Sequence, residues 1–113
     1  MSGNWTGTVE AANFAPHPIS LFVVQAYNCV DGDWRDASGD WKGAISGLAS
    51  ADGFDGQISF ERSAAGGGKC IASGTISGKV EGGSFRWTAG ALNPSGNCDG
   101  GLPQSLVLSV RRP

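Results

Sequence analysis

A four-residue phrase, Gly-x-Ile-Ser, occurs three times in this sequence and constrains the fold more than any other feature. The three copies begin at Gly43, Gly56 and Gly74, and clusters of turn-forming residues separate them. Within each copy the glycine and the isoleucine lie two residues apart, which places both on the same face of a β-strand. Alternation of small and large side chains on one face is typical of the inner wall of a small β-barrel. The phrase therefore predicts three strands of a curved sheet.

Apolar and polar residues alternate with a period of two along most of the remaining chain, and no window has the period of an amphipathic helix. The predicted strands are 5–10, 19–27, 30–35, 43–46, 56–59, 74–77, 84–88 and 105–111. Eight strands connected in order can close into a barrel, which removes the exposed edges of the sheet. We predict an all-β fold in which residues 1–113 form a single antiparallel up-and-down barrel, with a β-sandwich as the alternative.

The composition agrees with a folded barrel and excludes two classes of partner. The 113 residues include 19 glycines, four tryptophans and five phenylalanines, and this apolar content argues against a disordered chain. The net charge is −2 and the basic residues are scattered, so the basic face that binds nucleic acid is missing. The longest apolar run, Ile19 to Ala26, is far shorter than the roughly 20 residues that span a membrane. We expect no nucleic-acid partner and no membrane span.

The residue types that bind metals are present but badly spaced for the purpose. The three cysteines, Cys29, Cys70 and Cys98, do not form a zinc pattern, and His17 is the only histidine and lies in a predicted loop, where we expect it to be exposed. The aspartates at 31–40 lack the glycine and glutamate of a calcium loop and are expected to form a solvated outer face. We expect no metal and no cofactor. The odd number of cysteines leaves two alternatives: one disulfide with one free thiol in an exported protein, or three reduced thiols in a protein that is not exported.

The first predicted strand opens with Gly3-Asn4-Trp5, which resembles the Gly-x-Trp opening of the calycin-type barrels, the group that contains the lipocalins and the avidin-like proteins. In that group an arginine of the last strand packs over the tryptophan. Arg111 matches this arginine, and the resemblance implies a cation–π contact between Arg111 and Trp5.

The whole chain also resembles a group of small bacterial exported β domains of unknown function. The likeness lies in Trp5-Thr6-Gly7, in the Gly-x-Ile-Ser-Gly segment at 74–78, and in Cys70 and Cys98. It implies a disulfide between these two cysteines and an exported protein, periplasmic or extracellular. Cys29 departs from the pattern. No signal peptide precedes Trp5 in this sequence, and removal of such a peptide would account for that.

The aromatic residues are the strongest functional lead. Inward-pointing rings either fill a small barrel or line an apolar pocket inside it. We predict a non-catalytic protein that binds a small apolar or aromatic molecule inside the barrel, with polar groups that orient the ligand. The predicted ligand-binding residues are Trp5, Trp34, Phe85, Trp87, Tyr27, Gln25 and Arg86.

Two other functions remain open. The alternative is an exported interaction or inhibitor module that binds a protein partner through its loops and outer surface, with a solvent-facing Trp41 and the loop at 90–103 in contact with the partner. A less favoured possibility is a small barrel isomerase or cyclase, which needs an acid or base inside the barrel. The candidates Asp55, Glu61 and Arg86 all face outward by alternation. We therefore expect that the protein is not an enzyme.

Overall fold

The computed structural model describes residues 2–11, 14–51, 53–64, 66–90, 92–98 and 105–112, and these residues form β-strands, turns and irregular segments. The strands are β1 (Gly3–Ala11), β2 (His17–Ala26), β3 (Cys29–Asp36), β4 (Lys42–Ala49), β5 (Gly53–Ser63), β6 (Lys69–Glu81), β7 (Ser84–Ala89), β8 (Asn93–Gly96) and β9 (Leu106–Arg111). The described residues contain no helix of the length and apolarity needed to cross a membrane.

Eight of these strands close into an antiparallel barrel. Each strand from β1 to β6 pairs with the next in the chain, β7 pairs with β9, and β9 pairs with β1 to complete the ring. The predicted barrel of eight strands is therefore confirmed, and the β-sandwich alternative is wrong. Short connections place most neighbours in the chain beside one another in the sheet, and the pairing of β9 with β1 closes the ring.

Large side chains face glycines across the strand pairs of the barrel wall. Trp34 on β3 lies opposite Gly43 on β4, and Trp87 on β7 lies opposite Gly78 on β6. A β-carbon added to Gly43 would collide with the carbonyl oxygen of Ser59 and lie 2.8 Å from the indole nitrogen of Trp34. The absent side chain thus leaves the space that the indole ring fills, as the alternation of small and large residues predicts.

The short strand β8 lies outside the ring, in the segment 90–103 that we predicted to be a loop. It pairs with the first part of β6, where Cys70 lies opposite Gly96. A disulfide joins Cys70 to Cys98, just beyond β8, with the two Cα atoms 4.4 Å apart. The predicted disulfide is confirmed, and it fastens β8 to the barrel wall.

Two expectations about single residues are wrong. Trp41 is not solvent-facing but buried, with 5% of its surface exposed, because its ring covers one end of the aromatic core. His17 is not in a loop but begins β2, where it lies opposite Val9 and is half-buried. In both cases tertiary packing at the mouth of the barrel decides the environment.

Candidate interaction surface

The interior of the barrel holds two groups of aromatic rings in contact. In the first, the ring centroids of Trp5 and Phe85 are 3.9 Å apart, and Phe85 stacks on Trp87 at 5.0 Å. In the second, Trp34 lies 6.2 Å from Phe60. All of these side chains are buried. Aliphatic side chains from every strand of the ring occupy the space around them, and the interior is a packed core.

The structure does not bring the other three predicted ligand-binding residues to these rings. Tyr27 is 98% exposed in the turn between β2 and β3, and Arg86 is exposed on the outer face of β7. Gln25 lies near the end of β2, where its side-chain amide donates a hydrogen bond to the carbonyl of Tyr27 at 2.8 Å. Trp5, Trp34, Phe85 and Trp87 thus lie inside the barrel, whereas Tyr27, Gln25 and Arg86 belong to its outside and its end.

Two indole N–H groups of the core have no hydrogen-bond partner among the described residues. They belong to Trp34 and Trp87, both of which are buried. A buried donor without an acceptor costs free energy, so each such group is a place where an acceptor atom would stabilise the protein.

The mouth of the barrel at the start of β2 carries a polar cluster on an aromatic floor. The His17 ring stacks on Trp41 with centroids 4.1 Å apart, and its Nδ1 lies 3.1 Å from Oδ2 of Asp36. The hydroxyl of Ser38 donates to the other carboxylate oxygen of Asp36 at 2.8 Å. An ionised carboxylate only accepts, so Nδ1 of His17 carries the proton of this hydrogen bond. The cluster fastens the β3–β4 connection to β2.

Burial raises the pKa of the Asp36 carboxyl, but hydrogen bonds from Ser38, His17 and the backbone N–H groups of Trp41 and Gly39 have the larger combined effect. The pKa of Asp36 is therefore lowered from its ordinary value, and the group is ionised at neutral pH.

Two neighbouring charged side chains of β5 lie on opposite faces of the barrel wall, Arg62 inside and Glu61 outside. Arg62 is buried at the end of the strand, where it donates to the carbonyl of Ser63 at 3.1 Å. Alternation along the strand predicts this inward position, but Arg62 was not among the predicted candidate acids and bases. Glu61 faces outward and pairs with Lys69 at 2.7 Å, and that hydrogen bond lowers the pKa of the Glu61 carboxyl. Asp55 and Arg86 also face outward, as predicted.

The outer wall over β2, β3 and β4 carries most of the exposed apolar surface. Five large apolar side chains are exposed among the described residues, and four of them lie here: Phe22 (52%), Val24 (53%), Tyr27 (98%) and Leu48 (55%). The strand registers make these residues and their neighbours continuous, since Phe22 lies opposite Asp33, Val24 opposite Asp31, and Cys29 opposite Leu48. We call this surface the exposed face; it consists of Phe22, Val24, Tyr27, Cys29, Asp31, Asp33 and Leu48. Contiguous apolar surface of this kind marks interaction sites in soluble proteins.

A depression of about 390 Å³ adjoins the exposed face. The residues that line it include Phe22, Val24, Asp31 and Asp33 and short side chains such as Ala44. No lysine or arginine is among the described residues that line it, so its formal charge is negative. The nearest basic groups on these strands, Arg35 and Lys42, lie opposite one another in the next row, beside Asp33. Asp31 is the acid farther from these cations along β3.

The exposed face was not predicted from the sequence, although one signal for it was present. The segment at 19–27 is apolar on both faces, and only the inward positions, such as Leu21 and Val23, are needed for the core. The outward positions Phe22 and Val24 are therefore an excess of apolar residues that packing inside the barrel does not explain.

The turn at the end of the exposed face has a strained backbone. Tyr27 has a φ of 56°, in the left-handed region, which costs a residue with a side chain about 1–2 kcal/mol. Glycine and asparagine adopt this conformation more readily, and they are the usual residues of a two-residue hairpin turn. A tyrosine that is both strained and exposed contributes nothing to the core, so packing inside the barrel does not explain its presence at this turn.

The fold and the surface define a closed eight-stranded antiparallel barrel with a packed core and one apolar and acidic outer face. Comparisons with protein-family models, with curated proteins and with solved structures found no match to this chain. Among the described residues no group of three or more histidine, cysteine, aspartate and glutamate side chains is arranged to hold a metal ion. The exposed face is therefore the candidate functional site.

Proposed function

We propose that this protein is a non-catalytic interaction module whose exposed face binds a basic segment of another protein. The observation that carries the proposal is the clustering of Phe22, Val24, Tyr27 and Leu48 on one outer wall of the barrel. Large apolar side chains exposed together lose unfavourable contact with water when a partner covers them. The core of the barrel already holds its own aromatic rings and gives no reason for this outer cluster.

Charge selects the kind of partner. Asp31 and Asp33 stand beside Val24 and Phe22, and the adjoining depression is lined by no described cation. A partner that inserts a lysine or an arginine there pairs its charge with these carboxylates while its apolar neighbours cover the wall. A second copy of this chain fits less well, because a symmetric contact of the exposed face with itself would join two surfaces that carry aspartates and no basic residue.

The closed ring restricts how the partner binds. Every strand of the ring is paired on both sides, so a partner cannot extend this sheet as an added strand within the ring. Recognition then depends on side chains of the outer wall. On such a surface a few side chains contribute most of the binding free energy, and the contacts around them contribute less.

Selection of peptides from a randomised library displayed on phage, with the purified protein as target, tests this function. We expect selected peptides to combine basic and apolar residues, and to bind Asp31→Asn and Leu48→Ser proteins about tenfold more weakly than the wild type. The matched controls are Asp55→Asn and Ile71→Ser, which remove an exposed acid and an exposed apolar side chain outside the face. Acidic peptides, or equal losses in the controls, would overturn the proposal. Analytical ultracentrifugation tests the other occupant. A dimer that forms with increasing concentration and that Leu48→Ser abolishes would show that a second copy of the chain, and not a basic partner, covers the exposed face.

A second candidate function, binding of a small apolar or aromatic molecule inside the barrel, is favoured by one observation. The buried N–H groups of Trp34 and Trp87 are donors that an acceptor atom of a ligand would satisfy. Native mass spectrometry of the purified protein tests it: a bound molecule that leaves on denaturation supports this function. A protein that carries no molecule and binds no hydrophobic dye contradicts it. The expectation that the protein is not an enzyme stays a prediction.

We also propose that the protein is exported and related to the calycin-type barrels. The disulfide between Cys70 and Cys98 supports export, because such bonds persist in oxidising compartments. The closed barrel and the position of Trp5 on the first strand support the relationship. The mass of the denatured protein without reductant tests the bond: it should be lower than the reduced mass by two hydrogens, and the full reduced mass would argue against export.

A further inference from the structure

The turn of Tyr27 and Asn28 is the most exposed part of the exposed face. The tyrosine ring projects into solvent from the tip of the β2–β3 hairpin, and 98% of the residue's surface is accessible. Tyrosine is enriched among residues that dominate binding energy, because it offers a large rigid ring at a low cost in conformational entropy. Its position at the end of a row of exposed apolar side chains lets a partner cover both at once.

Hydrogen bonds from outside the turn hold its backbone in place. The carbonyl of Tyr27 accepts a hydrogen bond from the side chain of Gln25, and the carbonyl of Asn28 accepts one from the backbone N–H of Ala49 on β4 at 2.8 Å. The backbone N–H of Gln25 in turn donates to the hydroxyl of Ser2 at 2.8 Å. The backbone of a braced turn loses little freedom when the ring that it carries is bound, and such preorganisation strengthens binding.

The spacing between the ring and the acids indicates what covers them. Asp31 lies opposite Val24, and the turn begins three residues beyond Val24, which corresponds to about 10 Å along a strand. In a segment with the polyproline II conformation, side chains three residues apart lie on the same side about 9 Å from one another, so two of them can reach across that length. One would enter the depression beside Asp31, and the other would lie on the tyrosine ring.

We propose that Tyr27 is the anchor of the exposed face and that an arginine of the partner stacks on its ring. The inference rests on the proposed function and names the chemistry of the partner: a segment in the polyproline II conformation with an arginine for the ring and a second basic residue, three positions away, for Asp31. Arginine fits better than lysine, because its planar and weakly hydrated guanidinium stacks on an aromatic face. Such a contact would require the ring and would account for a tyrosine at a strained position.

The peptides selected on the wild-type protein test this inference through Tyr27→Asn and Tyr27→Phe. Asparagine accepts the left-handed conformation, so Tyr27→Asn should unfold at a temperature no lower than the wild type while it binds the peptides about tenfold more weakly. Tyr27→Phe keeps the ring and should bind as the wild type does. A synthetic peptide with its arginine replaced by lysine should bind the wild type more weakly than the arginine peptide does. The two peptides should bind Tyr27→Asn with equal affinity. A loss of affinity without a loss of thermal stability in Tyr27→Asn indicates a binding role for Tyr27, whereas a loss of both indicates a structural role.

The outcomes distinguish the two proposals. Peptides that lose affinity for Asp31→Asn and Leu48→Ser but bind Tyr27→Asn like the wild type would overturn the role of Tyr27 and leave the proposed function standing. Peptides that bind all three variants like the wild type, or a library that yields no binder dependent on the exposed face, would overturn both. Peptides that prefer lysine to arginine would overturn the stacking contact.

Discussion

The guanidinium carbon of Arg112 lies 4.7 Å from the centroid of the Trp5 ring. The expected partner of Trp5 was Arg111, and that expectation is wrong by one residue. In β9, Arg111 lies opposite Thr6 with its side chain exposed, whereas the chain beyond the strand turns Arg112 over the buried indole. The backbone N–H of Arg112 donates to the carbonyl of Gly83 at 3.0 Å and holds this position.

Replacement of Arg112 should therefore destabilise the barrel more than replacement of its neighbour. We expect Arg112→Ala to lower the free energy of unfolding by about 0.5–1 kcal/mol, through the loss of the cation–π contact at a solvent-exposed site. Arg111→Ala should change it by less than about 0.5 kcal/mol. Urea unfolding followed by tryptophan fluorescence measures both. A larger loss of stability in Arg111→Ala than in Arg112→Ala would indicate that Arg111 is the cation–π partner of Trp5.

Gly43 should not tolerate even a methyl group. A β-carbon at this position would meet the carbonyl oxygen of Ser59 and the indole nitrogen of Trp34, so the wall between β4 and β5 must shift. We expect Gly43→Ala to cost about 3 kcal/mol in the free energy of unfolding. Gly83→Ala is the control, because a β-carbon there meets nothing within 4 Å. Equal stability of the two proteins in urea would mean that the glycine does not make room for the ring.

Asp36 should contribute to stability above pH 4 and lose that contribution in acid. Its pKa is lower in the folded protein than the ordinary value of 3.8, so the unfolded chain binds the proton first as the pH falls. The stabilisation is complete above the unfolded pKa and disappears as the pH falls through the folded pKa. Urea unfolding between pH 7 and pH 2 should show this loss in the wild type.

The variant Asp36→Asn removes the titrating group from the same cluster. We expect it to be less stable at pH 7 by about 1–3 kcal/mol, because the hydrogen bonds from His17 and Ser38 to a charged acceptor are weakened. Its stability should also fall less steeply below pH 4. Asp33→Asn, at an exposed position of the same strand, should retain the wild-type profile. A wild-type slope in Asp36→Asn would assign the acid sensitivity to another carboxyl.

The disulfide should stabilise the chain by restricting the unfolded state. Cys70 and Cys98 are separated by 28 positions, and closure of a loop of that length contributes about 3–4 kcal/mol. The double variant Cys70→Ser, Cys98→Ser should unfold at correspondingly lower urea concentration, as should the wild type in reductant. Cys29→Ser, at the exposed free thiol, should match the wild type. A wild type that is insensitive to reductant would show that β8 is held without the bond.

The period-two pattern and the spacing of glycines were enough to predict the barrel. Backbone alternation decides which side chains share a face, and Trp34 and Trp87 accordingly point into the core. The glycines opposite them follow from the same requirement, because a narrow interior must pair large residues with small ones. The strand β8 in the segment 90–103 could not be predicted in this way. It depends on pairing with β6 and on the disulfide, and it has no alternating pattern of its own.

The sequence by itself determined the fold class, the number of strands in the ring and the inward position of Trp5, Trp34, Phe85 and Trp87, because these follow from local periodicity. The tertiary structure alone decided which residues meet across strands: His17 with Asp36, Arg112 with Trp5, and Val24 with Asp31. These meetings depend on register and on the path of the chain at the barrel ends, which period-two alternation leaves free. The exposed face belongs to the second group, since four scattered apolar residues become one surface only when β2, β3 and β4 lie side by side.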